Sequence, residues 1–262
     1  MLIKVVAVQT QLGQKLTLDE RLLIFKQKPD FICLPEYFLL DPYDFDFIRS
    51  ASQVRDNLNY INELSIAFSS CVIGGSVVEA EGDSLFNASY LYNRGRCLGR
   101  YRKLNPVAGE SSKGILPGDK IFITKVDGIK IAILICADAL NIELFKILGE
   151  EKVDIIFIPT TSPHRPDESH LQKFNRDNEI YLKAAQTSSS FIIKTCAVGE
   201  LFRKRLQGRS LIVSPWGILK RVDPIAERSP RILSEILNID ELRDFRKKKR
   251  IIAETLADLV KK

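Results

Sequence analysis

Four side chains in this chain have the types and placement to share acyl-transfer chemistry: Glu36, Lys103, Glu110 and Cys136. A thiolate can attack an electrophilic carbon. A carboxylate can take the thiol proton, then serve the leaving amine and the incoming water. An ammonium, with the backbone N–H that follows the nucleophile, can stabilise the developing oxyanion. Each residue also has an ordinary reading. A Glu after a strand is usually a solvated turn residue, Lys103 sits beside Arg100 and Arg102, and Glu110 lies in a polar loop. Cys196 also ends an apolar run and is a rival thiol, with Cys33 and Cys71 weaker ones. A protease-like pair of Cys136 with His164 would leave Glu36 and Lys103 without roles. Spacing alone leaves the choice open.

The elements that must position these groups read as strands and helices in alternation. Gly128–Asp138 carries a run apolar on both faces, the pattern of a strand buried on two sides, and it stops abruptly at Cys136. Asn141 can cap a helical pattern from Ile142. Ligands in α/β sheets sit beyond the carboxyl ends of strands, so a thiol at this point is well presented. A helix N-terminus nearby is expected to lower its pKa. Earlier, Ile3–Gln9 and Phe31–Leu34 read as buried strands, and Glu36 follows the second directly. Cys71–Val78 reads as one strand with Gly74-Gly75-Ser76 inside it, packed closely. Helical spacing covers Leu16–Gln27, Arg49–Phe68 and a long stretch from Glu168 to Ser188. Asn93-Arg94-Gly95 and Asp127-Gly128 signal hairpins. Strand patterns recur at Ala88–Tyr92, Gly99–Lys103, Asp154–Ile158, Phe191–Thr195, Arg209–Val213, Ile218–Val222 and Ile232–Leu237. Asn238 or Asp240 then caps a helix to Val260. No linker or composition break appears, so residues 1–262 read as one α/β domain.

Hydrophobic residues make up 45% of the chain, enough for a sizeable core, and the net charge is +6. Much of that charge lies in Arg246-Lys247-Lys248-Lys249-Arg250, where no aromatic residues interleave, so a solvated helix face is preferred over a nucleic-acid surface. No apolar run reaches the length of a membrane span. Five cysteines at irregular spacing suit reduced thiols and a cytoplasmic protein. His164 and His170 flank Arg165, Asp167 and Glu168 and hint at a metal, but the spacing fits no helical metal pair, and a rim or surface loop is the preferred reading.

Several segments together resemble the nitrilase, or carbon–nitrogen hydrolase, superfamily, over nearly the whole length. Ile3–Gln9 resembles its opening strand. Leu34-Pro35-Glu36-Tyr37-Phe38 resembles the segment of its general-base Glu, and Tyr101-Arg102-Lys103-Leu104 that of its Lys. Glu110 with Pro117-Gly118 resembles the loop of the second Glu. Ile135-Cys136-Ala137-Asp138 resembles the nucleophile turn, and Gly208 through Gly217 the late strands. Ala137 and Ala139 stand where members commonly carry other residue types, so no one subfamily's substrate is carried over.

The resemblance implies a four-layer αββα sandwich and hydrolysis of a small amide, carbamoyl compound or nitrile. It makes Cys136 the nucleophile, Glu36 the base and acid, and Lys103 the oxyanion stabiliser. Glu110 would support Lys103 or orient the substrate, and the Ala137 N–H would complete the oxyanion site. No metal or organic cofactor is expected, since these groups supply every step. An acyltransferase, an ammonia-supplying amidase or a lapsed scaffold are the alternatives. Thr160–His170 is expected at the pocket rim, with His164 and Arg165 meeting a polar or anionic substrate tail. A homodimer or larger homo-oligomer is expected, partly from the resemblance. The other ground is the apolar residues Leu242, Phe245, Ile251, Ile252, Leu256 and Leu259 of the last helix.

Overall fold

The structure is a computed structural model that describes residues 1–43 and 46–260, with side chains described as far as residue 252. Its strands, in chain order, are β1 (Leu2–Gln11), β2 (Phe31–Cys33), β3 (Cys71–Ile73), β4 (Val77–Glu81), β5 (Ser84–Asn93), β6 (Arg96–Arg102), β7 (Phe122–Val126), β8 (Ile129–Ile133), β9 (Ile155–Thr160), β10 (Phe191–Val198), β11 (Glu200–Leu201), β12 (Lys204–Arg205), β13 (Leu211–Ser214), β14 (Gly217–Arg221) and β15 (Arg231–Asn238). The helices are α1 (Leu18–Gln27), α2 (Phe47–Ser52), α3 (Val54–Ala67), α4 (Ala108–Ser111), α5 (Ile142–Glu150), α6 (His170–Asp177), α7 (Lys183–Ser188) and α8 (Ile239–Val260).

Two half-sheets of similar design result. In the first, β1, β2 and β3 run parallel, β15 flanks β1 antiparallel, and β5 joins β3 to β6. In the second, β8, β9 and β10 run parallel, with β7 and then β13 and β14 antiparallel at the margins. The ends of β1 and β10 pair at Thr10–Ala197 and Gln11–Val198, which makes one curled sheet of the two halves.

Alternation along the strands decides the layers. Val6, Val8, Ile32, Leu34 and Val72 face Ile24 of α1 and Tyr60, Ile61 and Leu64 of α3. Their neighbours Val5, Ala7, Phe31, Cys33 and Ile73 join Ile131, Ile133, Ile155, Phe157 and Ile193 of the other half-sheet in the central core. Phe31 and Phe157 meet across that gap with ring centroids 5.6 Å apart. Leu144, Phe145 and Leu148 of α5 and Ala184 and Ala185 of α7 extend the same core on the far side. Helices, sheet, sheet and helices make the αββα sandwich that the resemblance implies.

The structure corrects several boundaries. Cys71–Val78 is two strands, because Gly74, Gly75 and Ser76 form a bend between β3 and β4. Gly75 has φ 66°, and a Cβ there would lie 2.0 Å from the Pro35 carbonyl oxygen. The close packing expected at these glycines is real, but it lies outside a strand and beside the Glu36 segment. The helix expected over Arg49–Phe68 divides at Gln53. The long helix expected from Glu168 starts at His170, capped by Ser169, and opens into a π turn at Asn178–Leu182. The β11–β12 ribbon was too short to leave a periodic signal. In α8, Leu242 is buried and Phe245 packs on Trp216 at 5.8 Å, whereas Ile251 and Ile252 are exposed. The side chains of Leu256 and Leu259 lie outside the described residues. No helix among the described residues is long and apolar enough to cross a membrane.

Candidate active site

Parallel strands deliver their carboxyl ends to one edge, and the side chains singled out from the sequence converge there. Glu36 follows β2, and Cys136 follows β8. Strand β6 is antiparallel to β5, which is antiparallel to β3, so Lys103 leaves the sheet at the same edge.

Cys136 opens a tight 3-10 turn, Cys136–Leu140, with φ 47°, and remains partly exposed. A residue in the left-handed region turns the chain sharply at the strand end. Asp138 holds that turn. Its fully buried carboxylate accepts from Ile135 N at 3.0 Å, Tyr101 Oη at 2.8 Å, and both Asn105 N and Nδ2 at 2.8 Å. The turn at Cys136 is thereby tied to the segment that carries Lys103. The Asn141 side chain accepts from Glu143 N at 3.1 Å and caps α5, as its position suggested. The N–H of Ala137, near the start of the 3-10 turn, belongs to the group of donors that such a turn leaves without internal acceptors.

Lys103 and both carboxylates are buried together. Lys103 Nζ donates to Glu36 Oε1 at 2.8 Å and to Glu110 Oε2 at 2.7 Å. Glu110 is thus bonded directly to Lys103. It also accepts from Tyr37 Oη at 2.6 Å and Val107 N at 2.8 Å. Asn87 donates through Nδ2 to both carboxylates, at 3.1 Å to Glu36 and 2.7 Å to Glu110. Tyr37 has φ 55°, and its N–H donates to the buried Ser76 Oγ at 3.0 Å, which fixes the chain beside Glu36.

The charges in this cluster set one another. Burial works against the Lys103 ammonium, but Glu36, Cys136 and Glu110 outweigh it, so its pKa stands above the ordinary lysine range. Burial raises Glu110, yet Lys103 and the hydrogen bonds to it bring its pKa below the usual value. For Cys136, burial and then the Glu36 carboxylate push the thiol up, and Lys103 opposes them only in part. This overturns the lowered thiol pKa expected from a nearby helix N-terminus. Desolvation and a facing carboxylate outweigh that local dipole.

Thr161 lies inside the Thr160–His170 segment expected at the rim but was not singled out from the sequence. Its N–H donates to Glu36 Oε2 at 2.8 Å, its hydroxyl donates to the same oxygen at 2.5 Å, and its carbonyl accepts from the Cys136 thiol at 3.3 Å. A polar residue within a Pro-rich loop carries no signal of this, since its partners lie far away in sequence. The same loop continues to His164, partly exposed, and Arg165, exposed. The His164 N–H donates to the Arg205 carbonyl at 2.8 Å, which zips the loop to the β11–β12 ribbon. Among the described residues, no three His, Cys, Asp or Glu side chains gather as a metal site.

Residues 7–237 match the family model for carbon-nitrogen hydrolase. Probable hydrolase YhcX of Bacillus subtilis is 29% identical over 167 residues, which cover 59% of this chain and 33% of that longer protein. Omega-amidase NIT2 of Mus musculus is 23% identical over 89% of this chain and 86% of its own. A carbon-nitrogen hydrolase structure from Helicobacter pylori superposes at TM-score 0.81 with 18% identity, covering 97% of this chain and 95% of that one. An amidase from Nesterenkonia sp., solved with the acetamide moiety of fluoroacetamide added covalently at its active site cysteine, superposes at TM-score 0.75 with 17% identity, covering 95% of each chain. The chain belongs to the carbon-nitrogen hydrolase family.

Proposed function

We propose that this protein hydrolyses a non-peptide carbon–nitrogen bond in a small amide, carbamoyl compound or nitrile through a covalent intermediate on Cys136. The observation that carries the reading is the buried cluster in which Lys103 bonds both Glu36 and Glu110 while Glu36 and Lys103 act on the Cys136 thiol. The amidase names among the similar proteins support the reaction class.

With an amide, Sγ forms a bond to the carbonyl carbon and the thiol proton passes to Glu36. The carbonyl π electrons move to oxygen, where the Ala137 N–H and Lys103 face the charge. Collapse expels the amine, which takes the proton from Glu36. Water then attacks the thioester, giving a proton to Glu36, and collapse releases the acid as Glu36 returns that proton to the departing Sγ. Burial and the Glu36 charge raise the thiol pKa, which favours attack coupled to proton transfer. Glu110 keeps Lys103 charged and in place, with Tyr37 and Asn87 holding the carboxylates. His164 and Arg165 would meet a polar or anionic tail at the rim, and the protein would work as a homodimer or larger assembly. The test is incubation with a panel of small amides and nitriles, with ammonia release and the mass of the Cys136 peptide as readouts. Ammonia released by the native chain and not by Cys136→Ala is expected. Equal release by both overturns the assignment.

A further inference from the structure

The proton that must leave Cys136 and the carboxylate that must receive it are both held by one residue. We propose that Thr161 is a positioning residue for that transfer, holding the thiol hydrogen at its carbonyl and Glu36 Oε2 at its amide and hydroxyl in the resting enzyme. This rests on the reading of Cys136 as nucleophile and Glu36 as base.

The geometry is specific. Glu36 Oε1 is taken by Lys103 and Asn87, so Oε2 is the oxygen left for the thiol proton. Oε2 in turn receives both Thr161 donors. The amide N–H is fixed by the backbone, at the point where the carboxyl end of β9 passes into the loop. The hydroxyl hydrogen is a rotor and can turn away. When it turns, Oε2 regains a lone pair for the thiol proton. Until then the thiol hydrogen points to the Thr161 carbonyl at 3.3 Å. Val at this position would keep the amide and carbonyl but lose the rotor. Ser would keep all three.

The ionisable groups facing Glu36 are Lys103 from the end of β6, Glu110 from α4, Cys136 from the turn after β8 and Tyr37 beside it in the chain. Asn87 from β5 and Thr161 complete its surroundings.

The probe is iodoacetamide, whose alkylation of Cys136 forms an S–C bond, expels iodide and sends the thiol proton to Glu36. The second-order labelling rate, followed by mapping of the Cys136 peptide, is measured against pH for the full-length protein and for Thr161→Val, Thr161→Ser and Glu36→Gln. Thr161→Val should lower the rate across the profile, on the order of 10-fold, because Glu36 is no longer oriented. Thr161→Ser should restore it. A Thr161→Val profile that overlays the native one overturns the proposal, and so does a lowered rate that Thr161→Ser leaves unrestored. Glu36→Gln separates this from the underlying reading. It should abolish the base-assisted labelling and leave a rate that rises with thiolate alone. If it does not, the base assignment itself fails, independently of Thr161.

Discussion

Cys136 and Cys196 both stand near the ends of parallel strands with a buried lysine beside them, yet their surroundings differ in every respect that chemistry needs. Cys196 is fully buried, and burial pushes its thiol up while Lys194 opposes. Lys194 is engaged elsewhere, bonding Asp177 at 3.3 Å and lying 4.6 Å over the Tyr181 ring. Asp177 also pairs with Arg209, and Lys173 pairs with Glu227 at 2.7 Å, so this second charge cluster is largely closed on itself. It lies under α6 and the π turn. Cys136 keeps partial exposure, a left-handed turn and the Glu36 carboxylate among its neighbours. On the function proposed, access and a proton acceptor, not the buried lysine, distinguish the two thiols.

That contrast breaks most easily at the thiols. Cys136→Ala should remove turnover of any accepted amide, by more than about 10³-fold, because on the function proposed it is the thiol set beside both Glu36 and Lys103. Cys196→Ala should leave turnover and Cys136 labelling unchanged, and melting should show only the small cost of a lost buried sulfur, about 1 kcal/mol. Turnover that follows Cys196 would reverse the comparison.

Glu36→Gln is expected to lose about 10² to 10⁴-fold in kcat with the thiol still present. In the second cluster, Glu227→Gln should alter thermal stability without touching kcat. A kinetic effect there would mean that the two clusters are coupled.

Lys103→Met leaves Glu36 and Glu110 buried without their cation. Breaking such a pair costs about 3–5 kcal/mol, so denaturant unfolding should show a large loss beside the loss of activity. Lys194→Met leaves Asp177 its Arg209 partner and should cost less. Similar losses for both would remove the distinction in how the two lysines are held.

Glu110 sharpens the comparison through pH. Its folded pKa is depressed by Lys103 against the effect of burial, so the stability it lends is full above the ordinary carboxylate range. It is lost as pH falls through the folded value. Melting temperature should therefore drop on acidification in the native chain and drop less in Glu110→Gln. The smallest effect is expected at the rim, where Arg165→Ala should raise KM for anionic amides and leave neutral ones unchanged. No difference across a broad panel would remove Arg165 from recognition.

Much of the site was legible in the chain because its signals are local. An apolar run that halts at Cys136 announces a strand end without any partner in view. Asn93-Arg94-Gly95 and Asp127-Gly128 announced their hairpins because the turns need φ > 0, and Arg94 and Gly95 have φ 49° and 90°, Asp127 and Gly128 48° and 84°. Glu36, Lys103, Glu110 and Cys136 were found in segments with recognisable neighbours. Tertiary structure alone decided how they are held. Thr161 reaches Glu36 across 125 positions, Asn87 across 51, and Tyr101 reaches Asp138 across 37. A hydroxyl, an amide and a phenol have no periodicity, so nothing local marks them. The direction of the Cys136 pKa was decided the same way. A helix N-terminus is readable from sequence and favours the thiolate, but burial and the Glu36 charge belong to the assembled sheet edge and outweigh it.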